Sequence, residues 1–191
     1  MRKTMRDVFI VGSSMTRFAK HLDRSIKDLV KEAVEGVLSD ADIGREDIQA
    51  AWFSNSMWGY FTDQHCIKGQ VALSKLGIEG IPITNVENAC AGASTALHMA
   101  WTGVASGMYD CVLAVGAEKL YDEDKLKTFK AYWAGIDVEN MEEQMEAWRN
   151  ALSGVKLEIP VENDSKGAGT SRSAFMDIYC GMTRWHMATY G

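Results

Sequence analysis

Two hydrophobic rhythms alternate along the first part of the chain. Val8 to Val11 is a short, continuous apolar run closed by Gly12, and it reads as a buried strand. From Ser25 the rhythm becomes helical. Ile26, Leu29, Val30, Ala33, Val34, Val37 and Leu38 form one apolar stripe, and Ser25 with Asp28 fits a capping box at its start. Asp40 to Gly44 ends that element. Ala50 to Phe53 predicts a second strand, Gln70 to Leu76 a short helix stopped by Gly77, and Ile83 to Val86 a third strand. Ala91 to Ala105 is apolar almost all round, which predicts a helix covered on most faces. Cys111 to Gly116 is a fourth strand candidate. Short apolar strands separated by helices imply βαβ units: an α/β fold on a mixed, mainly parallel sheet.

The pattern changes after Glu118. Residues 121–130 are highly charged. Residues 139–152 predict an amphipathic helix, with Met141, Met145, Trp148 and Leu152 on one side and Glu139, Glu142, Glu143 and Glu146 on the other. Asn163 to Thr170 reads as a loop, and Phe175 to Tyr190 as a last helix. A boundary near residue 120 is expected, separating a core of residues 1–120 from a second piece, 121–191.

Composition adds limits. The chain has 191 residues, 47% hydrophobic and 24% charged, which suits a globular protein with a sizeable core. A net charge of −6, without a dense Lys/Arg cluster, excludes a general nucleic-acid binder. A charged N-terminus leads into a strand-like run, so neither a secretory signal nor a membrane span is expected, and a cytoplasmic location follows. Cys66, Cys90, Cys111 and Cys180 form no C-x-x-C pair. Neither a metal site nor a disulfide framework is expected, and the pattern fits a reducing compartment. Cys111 reads as a buried thiol.

Cys90 carries the chemistry. A strand-like stretch precedes it and a helix-like stretch follows, so the thiol lies on the first turn of a helix. Unpaired N–H groups and the helix dipole there favour a thiolate, the form that attacks carbonyls. A small buried thiol is the plainer alternative. Asn88 is placed to cap the helix. His98 reads as a hydrogen-bonded core histidine, His65 and Cys66 as loop or interface residues, and Cys180 and His186 as helix packing. Trp133 and Trp148 with the Met stripe read as packing.

Several segments resemble the thiolase superfamily, in its sterol-carrier-protein-x or lipid-transfer-protein branch. Val8 to Phe18 (VFIVGSSMTRF) is similar to the family's opening strand with its G-x-x-x-T-x-F continuation. Leu76 to Cys90 (LGIEGIPITNVENAC), after Gly69 and Gln70, resembles the approach to the acylated cysteine. Ser106 to Lys119 (SGMYDCVLAVGAEK) resembles the next strand with its G-x-E-K ending. Phe175 to Tyr179 (FMDIY) and His186 to Gly191 (HMATYG) resemble a helix of the family's loop domain. Ala91, Gly92 and Ala93 depart from the commoner Ala-Ser-Gly after the nucleophile, with small side chains kept.

The resemblance implies a thiolase-like layered fold, of which the chain carries the N-terminal βαβαβ half and part of a helical loop domain. It implies Cys90 as nucleophile in an acyl-CoA thiolase, with coenzyme A as substrate and no covalently bound cofactor. Lys166, Gly167 and Arg172 lie in a glycine-rich loop without full phosphate-loop spacing. A plain turn is one reading there; contact with coenzyme A phosphates is the other. The family's C-terminal half supplies a His, a second Cys and an oxyanion site, none of which maps onto this chain. The resemblance therefore implies that this half needs the other, in the same or a separate chain, for turnover. A homodimer or tetramer, joined around Ile81 to Val86, and a small OB-fold/zinc-ribbon partner are implied as well. Two other activities share the resemblance: retro-aldol cleavage of β-hydroxyacyl-CoA side chains, and non-catalytic acyl-CoA binding or scaffolding.

Overall fold

A computed structural model describes residues 5–152 and 174–191. The chain divides into two compact units, Met1–Leu120 and Tyr121–Gly191.

The first unit begins its regular structure with helix α1, Ile26–Ala41. The Ser25 hydroxyl accepts the Asp28 N–H while the Asp28 carboxylate accepts the Ser25 N–H, so the capping box is formed. Ile26, Leu29, Val30 and Val34 are buried from the predicted stripe. Asp42, in the left-handed region at φ 54°, closes the helix. Strand β1 (Ala50–Ser54) follows, buried along its whole length. Helices α2 (Trp58–Thr62) and α3 (Lys68–Leu73) lead to β2 (Ile83–Val86). Helix α4 (Gly92–Ala105) then crosses to β3 (Val112–Gly116).

The three strands form one sheet in the order β2-β1-β3. Both pairings are parallel, with Ser54 opposite Val86 on one side and Gly116 on the other. The strands therefore end level with one another, and whatever follows each of them is gathered at one edge. Phe53, Leu73, Ile78, Val30 and Val34 are the largest fully buried side chains. They fill the space between α1, α3 and one face of the sheet, each contributing about 1.5–3 kcal/mol by leaving water. On the other face Trp52 and Val86 meet Ala96 and Ala100 of α4. Close approach here needs glycine: a Cβ on Gly103 would lie 2.9 Å from the Trp52 ring.

Two expectations are corrected. Val8 to Val11 forms no strand, and Phe9 and Ile10 are 79% and 77% exposed. The run joins neither edge of the sheet, and its flanking residues are tethered to the helices instead. The Arg6 N–H donates to the Ala105 carbonyl, and the Ser13 N–H to Asp40. Helix α4 is not covered on most faces either. Gly92, Ala96, Ala100 and Gly103 are buried, but Leu97 and Trp101 are 50% and 39% exposed. The small residues pack on the sheet, which leaves the bulky ones on the opposite side.

The second unit is helical: α5 (Lys125–Ala131), α6 (Met141–Leu152) and α7 (Ala174–Tyr190). Asp124 caps α5 by accepting the Leu126 and Lys127 N–H groups. Met141 and Met145 are half-buried while Glu142, Glu143 and Glu146 are exposed, as the stripe predicts. Helices α6 and α7 touch, and the Tyr132 and Phe175 rings meet edge to face at 6.1 Å.

Candidate active site

Parallel strands leave their ligand-binding chemistry outside their carboxyl ends. Here Asn55 and Ser56 follow β1, Glu87 to Cys90 follow β2, and Ala117 and Glu118 follow β3. The polar residues that end each apolar run thus meet at one place. Ala89–Ala91 forms a single 3₁₀ turn running directly into α4, and Cys90 lies on it with its side chain exposed. The strand-to-helix position expected for Cys90 is the one observed. Gly92 follows on the first turn of α4, and a Cβ there would meet the Ser54 hydroxyl at 2.4 Å.

Beside Cys90 is a polar network that joins all three strand ends. The Asn55 amide donates to the Ala117 carbonyl at 2.7 Å and to Glu118 at 3.2 Å, and its oxygen accepts the Trp58 N–H at 3.0 Å. Glu118 also accepts the N–H groups of Ser56 and Met57. The Ser56 hydroxyl donates to Glu87 at 2.9 Å, and the same Glu87 oxygen accepts the Ala89 N–H at 2.6 Å. The Lys68 ammonium donates to the carbonyls of Asn55 and Ser56, both at 3.1 Å.

The two carboxylates titrate in opposite directions. The Ala89 N–H, then the Ser56 hydroxyl, hold Glu87 below the ordinary carboxylate range, with Lys68 adding to the effect. Glu118 is pushed up by desolvation, against the bonds from the Ser56 and Met57 N–H groups. Glu118 is an exposed residue, but its carboxyl group is held by the Asn55 amide and the Ser56 and Met57 N–H groups.

Other sequence candidates fall elsewhere. Asn88 does not cap α4; its amide donates to the Thr95 hydroxyl at 2.9 Å, tying the turn to the helix from the side. His98 is exposed rather than in the core, and its ring stacks on Trp101 at 5.9 Å. His65, Cys66 and Cys180 are exposed, and the His186 ring lies 4.9 Å from Tyr190. Cys111 is half-buried, and burial raises its thiol pKa, with Asp47 adding to the shift. Lys166, Gly167 and Arg172 lie outside the described residues. Among the described residues no cluster of His, Cys, Asp or Glu is arranged to hold a metal ion, and no helix is long and apolar enough to cross a membrane.

Sequence reasoning missed Asn55, Ser56 and Lys68, and noted Glu87 and Glu118 only within motifs. A usable signal was present: a polar residue follows β1 and β2 at once, as Asn55 and Glu87, and follows β3 after one alanine, as Glu118.

The "Thiolase, N-terminal domain" family matches residues 8–174. The chain belongs to the thiolase family. It is 39% identical over 118 residues to an acetyl-CoA acetyltransferase of Methanothermobacter thermautotrophicus, covering 62% of this chain and 30% of that protein. It is 43% identical over 122 residues to the human sterol carrier protein 2, covering 61% of this chain and 21% of that protein. The chain thus spans less than a third of the length of these curated relatives. Among solved structures, 3-oxoacyl-[acyl-carrier-protein] synthase III from Aquifex aeolicus aligns at 21% identity with a TM-score of 0.45, over 51% of this chain and 31% of that one.

Proposed function

We propose that this chain is the nucleophile-bearing half of a degradative acyl-CoA thiolase, with Cys90 as its acyl carrier. The observation that supports this most is the position of Cys90, an exposed thiol on a turn leading into α4 at the carboxyl end of a parallel sheet. Family membership supports the same assignment. The Cys90 thiolate attacks the ketone carbon of a 3-ketoacyl-CoA. The bond between that carbon and the carbon α to the thioester breaks, and the α-carbon fragment leaves as a CoA thioester after taking up a proton. The acyl group stays on Cys90 as a thioester. A second coenzyme A attacks it, releasing the new acyl-CoA and the free thiol. The Cys90 N–H supplies one oxyanion donor. The C-terminal thiolase half, in the same or a separate chain, supplies the proton-transfer groups and the second donor.

In this reading Lys166, Gly167 and Arg172 contact the coenzyme A phosphates, and the exposed side of α4 faces the C-terminal half. The assembly is a homodimer or tetramer, with a small OB-fold/zinc-ribbon partner, in the cytoplasm. Four free cysteines support a reducing compartment.

Intact-protein mass spectrometry of the complete enzyme mixed with a 3-ketoacyl-CoA tests the reading. The expected result is an acyl adduct on Cys90 that is lost in Cys90→Ala, together with all turnover. No adduct on the parent enzyme, or activity that survives Cys90→Ala, overturns it; the latter is the result a retro-aldolase would give.

A further inference from the structure

The residue before the nucleophile is in an unusual conformation. Ala89 has φ 44°, in the left-handed region that a residue with a Cβ enters only under strain. Neither glycine nor asparagine is present to lower that strain. The surroundings must therefore hold the turn. The shorter of two direct contacts that do so is the Ala89 N–H to Glu87, at 2.6 Å; the other is the Ser56 hydroxyl on the Ala89 carbonyl, at 3.5 Å.

Glu87 is itself an exposed side chain on a turn. What fixes it is Ser56. Every polar group of Ser56 is engaged by a different element: its N–H by Glu118 after β3, its carbonyl by Lys68 of α3, and its hydroxyl by Glu87 after β2. The N–H and carbonyl bonds set the backbone of Ser56, and so the position from which its hydroxyl meets Glu87. A chain of contacts thus runs from the buried middle strand to the backbone of the turn carrying Cys90. No step of it touches the thiol.

We propose that Ser56, fixed by Glu118 and Lys68, is a positioning residue that holds the strained Ala89 turn through Glu87 and so aims Cys90. This rests on Cys90 being the nucleophile. Losing the hydroxyl frees Glu87 to turn into solvent, and the Ala89 turn relaxes. A nucleophile displaced by about 1 Å loses on the order of a hundredfold in rate.

The test uses the complete enzyme and its Ser56→Ala, Ser56→Thr and Glu118→Gln variants. Acyl-adduct formation on Cys90 is timed by rapid-quench mass spectrometry, and kcat and KM are measured at steady state. Ser56→Ala is expected to slow acylation and kcat about ten- to a hundredfold with KM changed less than about twofold. Ser56→Thr restores the hydroxyl and is expected to recover most of the rate. Glu118→Gln places an amide donor against N–H donors and is expected to act in the same direction as Ser56→Ala. Ser56→Ala leaves both backbone bonds of residue 56 in place, so it and the Thr variant decide the matter even if Glu118→Gln fails to fold. An unchanged acylation rate in Ser56→Ala, or a loss that Ser56→Thr does not recover, overturns the proposal while Cys90 remains the nucleophile. Absence of any adduct on the parent enzyme overturns both.

Discussion

At the residue scale, the two carboxylates of the network at the strand ends respond to acid with opposite signs. Glu87 is depressed in the fold, so its contribution to stability is present above the ordinary glutamate range and is lost as pH falls through its folded value. Glu118 is raised, so its cost to stability builds as pH rises from the ordinary glutamate range through its folded value, and acid below that range removes it. Lys68 is the cation that lowers both, and the Glu87 charge adds to the rise of Glu118. Glu87→Gln keeps an acceptor oxygen for Ala89 but removes the titration. Its thermal midpoint is expected to fall less between pH 7 and pH 3 than that of the parent. A fall as large as the parent's would show that Glu87 does not contribute to acid sensitivity.

At the element scale, what could be read from the sequence was what each segment settles within itself. Helix α1 announced its start through Ser25 and Asp28, and its buried side through the spacing of Ile26, Leu29, Val30 and Val34. Strands β1, β2 and β3 were legible as apolar runs with stop signals. What was not legible needed a distant partner. Val8 to Val11 has a strand's composition, but pairing needs a distant partner, and the residues flanking the run bond to Ala105 and Asp40 on helices instead. The left-handed Ala89 carries no turn residue to mark it. The bonds from Ser56 to Glu87 and Glu118 cross 31 and 62 residues of sequence, beyond any local pattern. Gly92 tests how tightly the elements fit. In an open helix Gly→Ala stabilises by up to about 1 kcal/mol. Here the new methyl would meet the buried Ser54 hydroxyl at 2.4 Å. Gly92→Ala is therefore expected to destabilise by about 1–3 kcal/mol in urea denaturation. A gain in stability would show that α4 has room to move away from β1.

At the scale of the whole molecule, two apolar surfaces among the described residues of the first unit stand in water. One is the N-terminal run, with Phe9, Ile10, Val11 and Phe18 all exposed; the other is the outer side of α4, with Leu97 and Trp101. Exposed surface of this kind marks places where other protein binds, or where association begins. The isolated chain is expected to enhance the fluorescence of an apolar dye such as ANS several-fold in its folded state, and a Leu97→Glu/Trp101→Glu double variant to reduce that signal. Dye fluorescence no greater than that of a compact soluble monomer would contradict these exposures. The strand order has a further consequence, for synthesis. The middle strand of the sheet is the first of the three to be made, and its two neighbours come later in the chain. Neither neighbour is a hairpin partner, so β1 leaves the ribosome with both hydrogen-bonding edges bare. At ordinary elongation rates of about 5–20 residues per second, it waits several seconds for β3 to emerge. During that interval its five apolar-rich residues are open to any other nascent chain, and a holding chaperone would be needed most between the appearance of Ala50 and that of Gly116.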